Sequence, residues 1–251
     1  VATPLRHVLS PDTAGLLRCV HDPLAPLCYN GSVLTKERQD YLKVIYHLQQ
    51  GGAPVRTTAI ARALGVEPAS VTGAIKRLAE INLLEYQRYR GVTLTADGER
   101  TALEIIRNHR LIELYLIEAL GYSWDEVHEE AERLEHAVSP RFIERIAATL
   151  DHPEIDPHGS PIPTTDGRIE PETGRRLSEL ASGEAGVVVR VNDEDPELLR
   201  YLGGLGLRPG ATVRVDAVAP FGGPITVKVG VETHALGPLA AAHVFVDARP
   251  R

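Results

Sequence analysis

The 251-residue chain has no methionine, one tryptophan, three phenylalanines and two cysteines, Cys19 and Cys28. Each shortage excludes something. Two cysteines cannot build a disulfide framework. With no methionine, a metal site has to be made mainly of carboxylate, imidazole, carbonyl and water, so soft-metal chemistry is not expected. Long apolar runs are missing too. The longest stretch free of Asp, Glu, Lys and Arg is Thr233 to Val246, and it holds Gly237 and Pro238; a spanning helix needs ~20 apolar residues. No membrane partner is expected. Pro4, Arg6, His7, Pro11 and Asp12 interrupt any apolar leader, and cytoplasmic residence is the expectation. Catalytic signatures are also absent: no His-Glu-x-x-His, no Walker loop and no Gly-x-Ser-x-Gly, and Arg133 stands where the Glu-x-x-His pair of a di-iron carboxylate enzyme needs Glu. An enzyme is not expected.

What is present is unevenly distributed. A net charge of −7 argues against nucleic acid as a partner until it is divided along the chain. Residues 56–110 carry 9 basic and 6 acidic side chains, whereas 111–200 carry 8 and 21. A mildly basic segment is followed by a strongly acidic one, the pattern of a chain that meets phosphate with one part and cations with the next.

Residues 1–34 hold four prolines and no periodicity and read as an N-terminal extension. From Thr35, a candidate cap, Tyr41, Leu42, Ile45, Tyr46 and Leu48 give a helical stripe that ends at Gly51-Gly52. Thr57–Leu64 and Pro68–Ile81 then read as two short helices around Gly65, with small Ala61 allowing a close crossing and Pro68 fitting the first turn of the second. This is a helix-turn-helix. Residues 83–87 and 91–95 read as strands joined by Arg88-Tyr89-Arg90, which makes a wing. Together, 35–96 are expected to form a winged helix-turn-helix domain binding double-stranded DNA, with Thr58, Ser70, Thr72, Lys76, Arg77, Arg88 and Arg90 as the polar contacts. A protein-interaction use of the same module remains open at this point.

Residues 97–151 read as a helical domain: one long helix from Ala96 to Leu120, a second from Ser123 to Val138 capped by Ser123, and a third from Pro140 to Leu150. On the second, His128, Glu132, Glu135 and His136 fall within roughly 100° of one face, and the first adds His109 and Glu113 one turn apart. Carboxylates stacked one turn apart repel each other, and a cation between them relieves the repulsion. The bland alternative is a solvated acidic surface. Residues 152–183 hold five prolines and read as a linker. In 184–251, Ala185–Val191, Thr212–Ala217, Ile225–Val229 and His243–Asp247 read as strands, interrupted by a helical Pro196–Leu202, and describe a small β-barrel. The fold class is mostly α with small β. A metal-binding enzyme or storage protein carrying a winged helix is the competing class, and it leaves the basic wing without a use.

The winged helix, Asn108-His-Arg-Leu-Ile-Glu113, Val127-His-Glu-Glu-Ala-Glu-Arg-Leu-Glu-His-Ala-Val-Ser139 and Asp156-Pro-His-Gly-Ser-Pro-Ile-Pro163 together closely resemble the diphtheria toxin repressor family of iron-dependent and manganese transport regulators. The resemblance runs from Thr35 to about Val246. It implies a homodimeric metal-dependent regulator, most simply a repressor, that binds palindromic operator DNA when loaded with Mn²⁺ or Fe²⁺. It also implies that the C-terminal domain is SH3-like, similar to the ferrous-iron-transport A module. By position it implies a primary metal site of Asp40, Glu132, Glu135 and His136. An ancillary site would hold His109, Glu113 and His128, with Glu194 from the third domain. Iron-type members carry sulfur donors where this chain has Asp40 and Glu132, so Mn²⁺ is expected ahead of Fe²⁺. Manganese members carry Glu where this chain has Lys43, and the three-domain frame is of the iron type. The chain resembles a hybrid.

Overall fold

A computed structural model describes residues 28–29, 32–52, 54–192 and 195–249, and the chain divides into two compact units after Ala102. Most of the N-terminal extension, Cys19 included, and Glu194 lie outside the described residues.

In the first unit, β1 (Cys28–Tyr29) pairs with β2 (Ser32–Val33). Helix α1 (Lys36–Gln50) follows and buries Gln39, Tyr41, Leu42, Ile45 and Tyr46. Thr35 occupies its N-cap position but makes no side-chain cap bond, contrary to the expectation; its carbonyl instead accepts from the Gln39 amide at 3.1 Å. Helices α2 (Thr57–Leu64) and α3 (Pro68–Glu80) are joined through Gly65, whose φ of 64° is left-handed and suits a residue without Cβ. Val71, Ala74, Ile75 and Leu78 form the inner face of α3, and each fully buried aliphatic side chain there contributes roughly 1.5–3 kcal/mol. Strands β3 (Leu84–Gln87) and β4 (Gly91–Leu94) pair with Leu84 opposite Leu94, and Val55 bridges to Val92 on the other side.

Helix α4 (Ala96–Leu120) runs from the first unit into the second. There α5 (Val127–Leu134) and α6 (Pro140–Thr149) pack with it around Leu111, Ile112, Leu116, Val127, Ala131, Ile143, Ile146 and Ala147. Helix α5 is shorter than expected. Ser123 is not its cap, because its hydroxyl is spent on the Glu126 carboxylate at 2.5 Å, and Glu135 and His136 lie in the turn that follows the helix. Ser139, by contrast, accepts from the Phe142 amide and caps α6.

Within the Pro-rich stretch, Asp156 Oδ1 accepts from the amides of His158 and Ser160 at 2.8 and 2.9 Å, folding a turn whose Asp156, His158 and Ser160 are buried. Arg107 donates to the Pro163 carbonyl at 2.9 Å and Arg110 to that of Pro161, so α4 holds the turn by its backbone.

The remainder of the unit is β5 (Arg175–Arg176), a single 3₁₀ turn at Leu177–Glu179, β6 (Ala185–Val191), α7 (Pro196–Gly204), β7 (Thr212–Val218), β8 (Ile225–Val229), β9 (Glu232–Leu236), the short α8 (Pro238–Ala241) and β10 (Val244–Arg249). One antiparallel sheet results, in the order β5-β10-β6-β7-β8-β9, over a core that includes Val188, Leu199, Leu202, Val213, Val227 and Val246. Strand β9 was missed in the sequence. Its side chains are mostly exposed, so it shows little alternation; its one signal is the two-residue connection Gly230-Val231 from β8, with Gly230 left-handed.

Candidate metal centre and nucleic-acid interface

Two donor sets lie in the second unit. His109 and Glu113, one turn apart on α4, meet His128 from the first turn of α5, with one donor atom from each within 4.8 Å of the others. His109 Nε2 is 2.9 Å from Glu113 Oε1 and 3.1 Å from His128 Nδ1, which is itself 3.1 Å from the same carboxylate oxygen. Glu113 is fully buried. Burial works to raise its carboxyl, but the adjacent His109 charge and the hydrogen bonds with His109 and His128, with His158 close by, win and hold it well below the usual carboxylate range. Its second oxygen, Oε2, is buried and has no hydrogen-bond partner among the described residues. A buried carboxylate oxygen in that condition is costly in water-free surroundings and well suited to a cation.

The second set comprises Glu132, Glu135 and His136, whose donor atoms also lie within 4.8 Å of one another. Glu135 is buried and sits between the sets: Oε1 lies 3.2 Å from His136 Nε2, while Oε2 lies 2.5 Å from His109 Nδ1. His128 Nε2 is 3.9 Å from Glu132 Oε1, so the helix-face pairing read from the sequence holds loosely. Asp40 is on α1 in the first unit, half-buried and 3.9 Å from Lys36.

The structure adds a residue that the sequence reading passed over. His158, fully buried, directs Nδ1 toward Glu113 Oε2 at 3.8 Å, while Nε2 hydrogen-bonds the Trp124 carbonyl at 3.0 Å. Its position follows from Gly159, whose φ is 92° and where a Cβ would fall 2.0 Å from the Val189 carbonyl oxygen; only glycine lets this turn lie against β6. No spacing rule connects position 158 to 113, although the buried His of the Pro-His-Gly turn is a titratable group with no surface reason to be there.

Among the nucleic-acid candidates, Thr58, Ser70, Lys76, Arg77, Arg88 and Arg90 are exposed and Thr72 is half-buried. Thr72 spends its hydroxyl on the Pro68 carbonyl at 3.3 Å, and Arg77 lies 3.8 Å from Glu37 of α1 with both side chains at least half exposed. That ion pair is worth little and leaves Arg77 available. The exposed face of α3 has Ala69 and Gly73 at its centre, flanked by Thr72 and Lys76 on one side and Ser70 and Arg77 on the other. Small residues at the centre let a helix backbone approach base edges closely.

A winged helix followed by two oxygen and nitrogen donor sets defines a metal-responsive DNA-binding regulator. Three family models divide the chain accordingly: the iron dependent repressor N-terminal DNA binding domain over 33–92, the iron dependent repressor metal binding and dimerisation domain over 95–164, and the FeoA domain over 175–248. The iron-dependent repressor IdeR of Mycobacterium tuberculosis is 33% identical over 215 residues, covering 81% of this chain and 93% of that one. A manganese-dependent transcriptional repressor solved in complex with manganese is 42% identical with a TM-score of 0.79, over 84% of this chain and all of that one. The manganese regulator SloR is 31% identical with a TM-score of 0.70, over 86% and 100%. The chain belongs to the iron-dependent (diphtheria toxin) repressor family, the metal-dependent transcriptional repressors that include both iron and manganese regulators. Family members bind DNA, bind divalent metal and dimerise through the metal-binding domain. Among the described residues no helix is long and apolar enough to cross a membrane.

Proposed function

We propose that this chain is a Mn²⁺-responsive repressor, with Fe²⁺ the next candidate, that binds palindromic operator DNA as a homodimer. The carrying observation is the donor chemistry. Every side chain in the two sets is a carboxylate or an imidazole, and hard oxygen donors suit Mn²⁺ better than the sulfur-bearing primary set of iron-type relatives does. The manganese-dependent transcriptional repressor and the manganese regulator similar to this chain support the same reading.

Asp40, Glu132, Glu135 and His136 make the proposed primary site. His109, Glu113 and His128 make the ancillary one, with His158 as a further donor and Glu194 retained only from family resemblance. When bound, the ion supplies a positive charge shared among donors that otherwise repel one another. Asp40 is the donor on the reading-head side of the chain. Its engagement with Glu132, Glu135 and His136 would select the dimer whose two recognition helices match successive turns of DNA. Neutralising part of the acidic segment also lessens its repulsion from phosphate. No residue in this scheme acts on a substrate, and we infer no enzymatic activity. Glu132→Ala and Asp40→Ala are expected to abolish metal-dependent operator binding in a gel shift, and retention of it by both variants would sink the primary-site assignment.

A further inference from the structure

The wing carries a residue whose placement the fold does not explain. Residues 87–90 close a tight turn, with the Arg90 amide donating to the Gln87 carbonyl at 3.0 Å, and Tyr89 occupies its third position with a φ of 66°. Glycine or asparagine is the ordinary residue there, because a side chain with a Cβ is strained in the left-handed region. Asn82, with a φ of 59° before β3, and Gly91, with a φ of 130° after the turn, are such residues. Tyr89 is moreover 91% exposed, so its ring gains nothing from burial that would offset the strain. The Arg88 guanidinium lies over the ring, 4.9 Å from its centroid, which restricts the ring and leaves its other face and edge open. Arg90 follows immediately, exposed.

The tip thus presents an exposed aromatic ring between two exposed cations. A ring edge flanked by cations suits the minor groove, about 6 Å wide between phosphate walls, better than the major groove, about 12 Å wide, that takes a recognition helix. We propose that Tyr89 inserts its ring edge into the minor groove flanking each half-site, with Arg88 and Arg90 holding the adjoining phosphates, so that the wing reads groove width and base-step deformability rather than serving only as a charged brace. The proposal rests on the family's DNA binding and adds a reading element to it.

The test uses full-length Mn²⁺-loaded protein and duplexes that the wild type selects from a randomised pool. Tyr89→Gly relieves the left-handed strain, so its melting temperature should equal or exceed that of the wild type. Operator binding should nevertheless weaken by about tenfold, or ~1.4 kcal/mol, with an unchanged dependence on salt. Arg88→Ala should instead reduce the salt slope by ~0.9, the signature of one lost phosphate contact. Changing flanking I·C pairs to G·C adds only a 2-amino group in the minor groove; it should weaken the wild type and leave Tyr89→Gly unaffected. Equal operator affinity of wild type and Tyr89→Gly overturns the ring contact. A drop accompanied by a smaller salt slope overturns it too, by assigning the effect to the arginines, and an equal response of both proteins to the 2-amino group overturns the minor-groove placement. Failure of the wild type to select any duplex with Mn²⁺ present would contradict the DNA-binding function itself, a distinct result.

Discussion

Glu135 Oε2 lies 2.5 Å from His109 Nδ1 while its other oxygen lies 3.2 Å from His136 Nε2, so one buried carboxylate joins the two donor sets. A ligand held this way orients its neighbour as well as serving its own site. Glu135→Gln, which keeps the shape and removes the charge, is expected to lower Mn²⁺ affinity at both binding steps. The expected loss is 10- to 100-fold at the step where Glu135 only orients His109. Calorimetric titration resolves the two steps, and an effect confined to one of them contradicts the joined arrangement.

Donor type should govern metal choice. The double variant Asp40→Met, Glu132→Cys places soft sulfur where relatives of the iron type have it, and is expected to shift preference from Mn²⁺ toward Fe²⁺. Anaerobic competition titrations of the two ions check this; an unchanged ratio would remove Asp40 and Glu132 from the selective site.

Trp124, the sole tryptophan of the chain, belongs to the core beneath the C-terminal sheet and packs 5.1 Å from the His158 ring, with its Nε1 donating to the Pro157 carbonyl and Arg208 over its face. Trp124→Ala is expected to cost about 3–5 kcal/mol on denaturant unfolding. In the wild-type protein, Trp124 fluorescence should change as Mn²⁺ occupies the Glu113 set, because His158 touches both, and Glu113→Ala should abolish that change. A signal that survives in Glu113→Ala places the ion elsewhere.

The depressed Glu113 carboxyl sets the sign of a pH effect in chelator-treated protein. A carboxyl lowered on folding stabilises above its unfolded value, ~4.3, and that contribution is lost as pH falls through the folded value. The melting-temperature gap between wild type and Glu113→Gln should therefore be widest above that range and narrow as the solution is acidified. A gap that widens on acidification would mean that burial, not the histidines, controls this group.

The reading head was legible because its signals are local: Pro68 at a first turn, Gly65 at a left-handed turn, and Val71, Ala74, Ile75 and Leu78 at helical spacing. The donor sets were half legible. His109 with Glu113 and His128 with Glu132 follow from one-turn spacing, but Glu135 and His136 lie past the end of α5, so a helix-face argument grouped them for the wrong local reason. His158 was hidden because its meeting with Glu113 depends on a turn held by long-range contacts, from Arg110 to the Pro161 carbonyl and from Gly159 to β6. Strand β9 was hidden because an exposed strand need not alternate.

If metal loading selects the DNA-competent state, operator affinity of the wild-type protein at one fixed ionic strength must differ between Mn²⁺ and chelator. Binding should be tighter with Mn²⁺ by about 5- to 150-fold, the range of ordinary coupling energies, and by linkage Mn²⁺ should bind more tightly by the same factor when operator is present. Equal affinity with and without metal would contradict it.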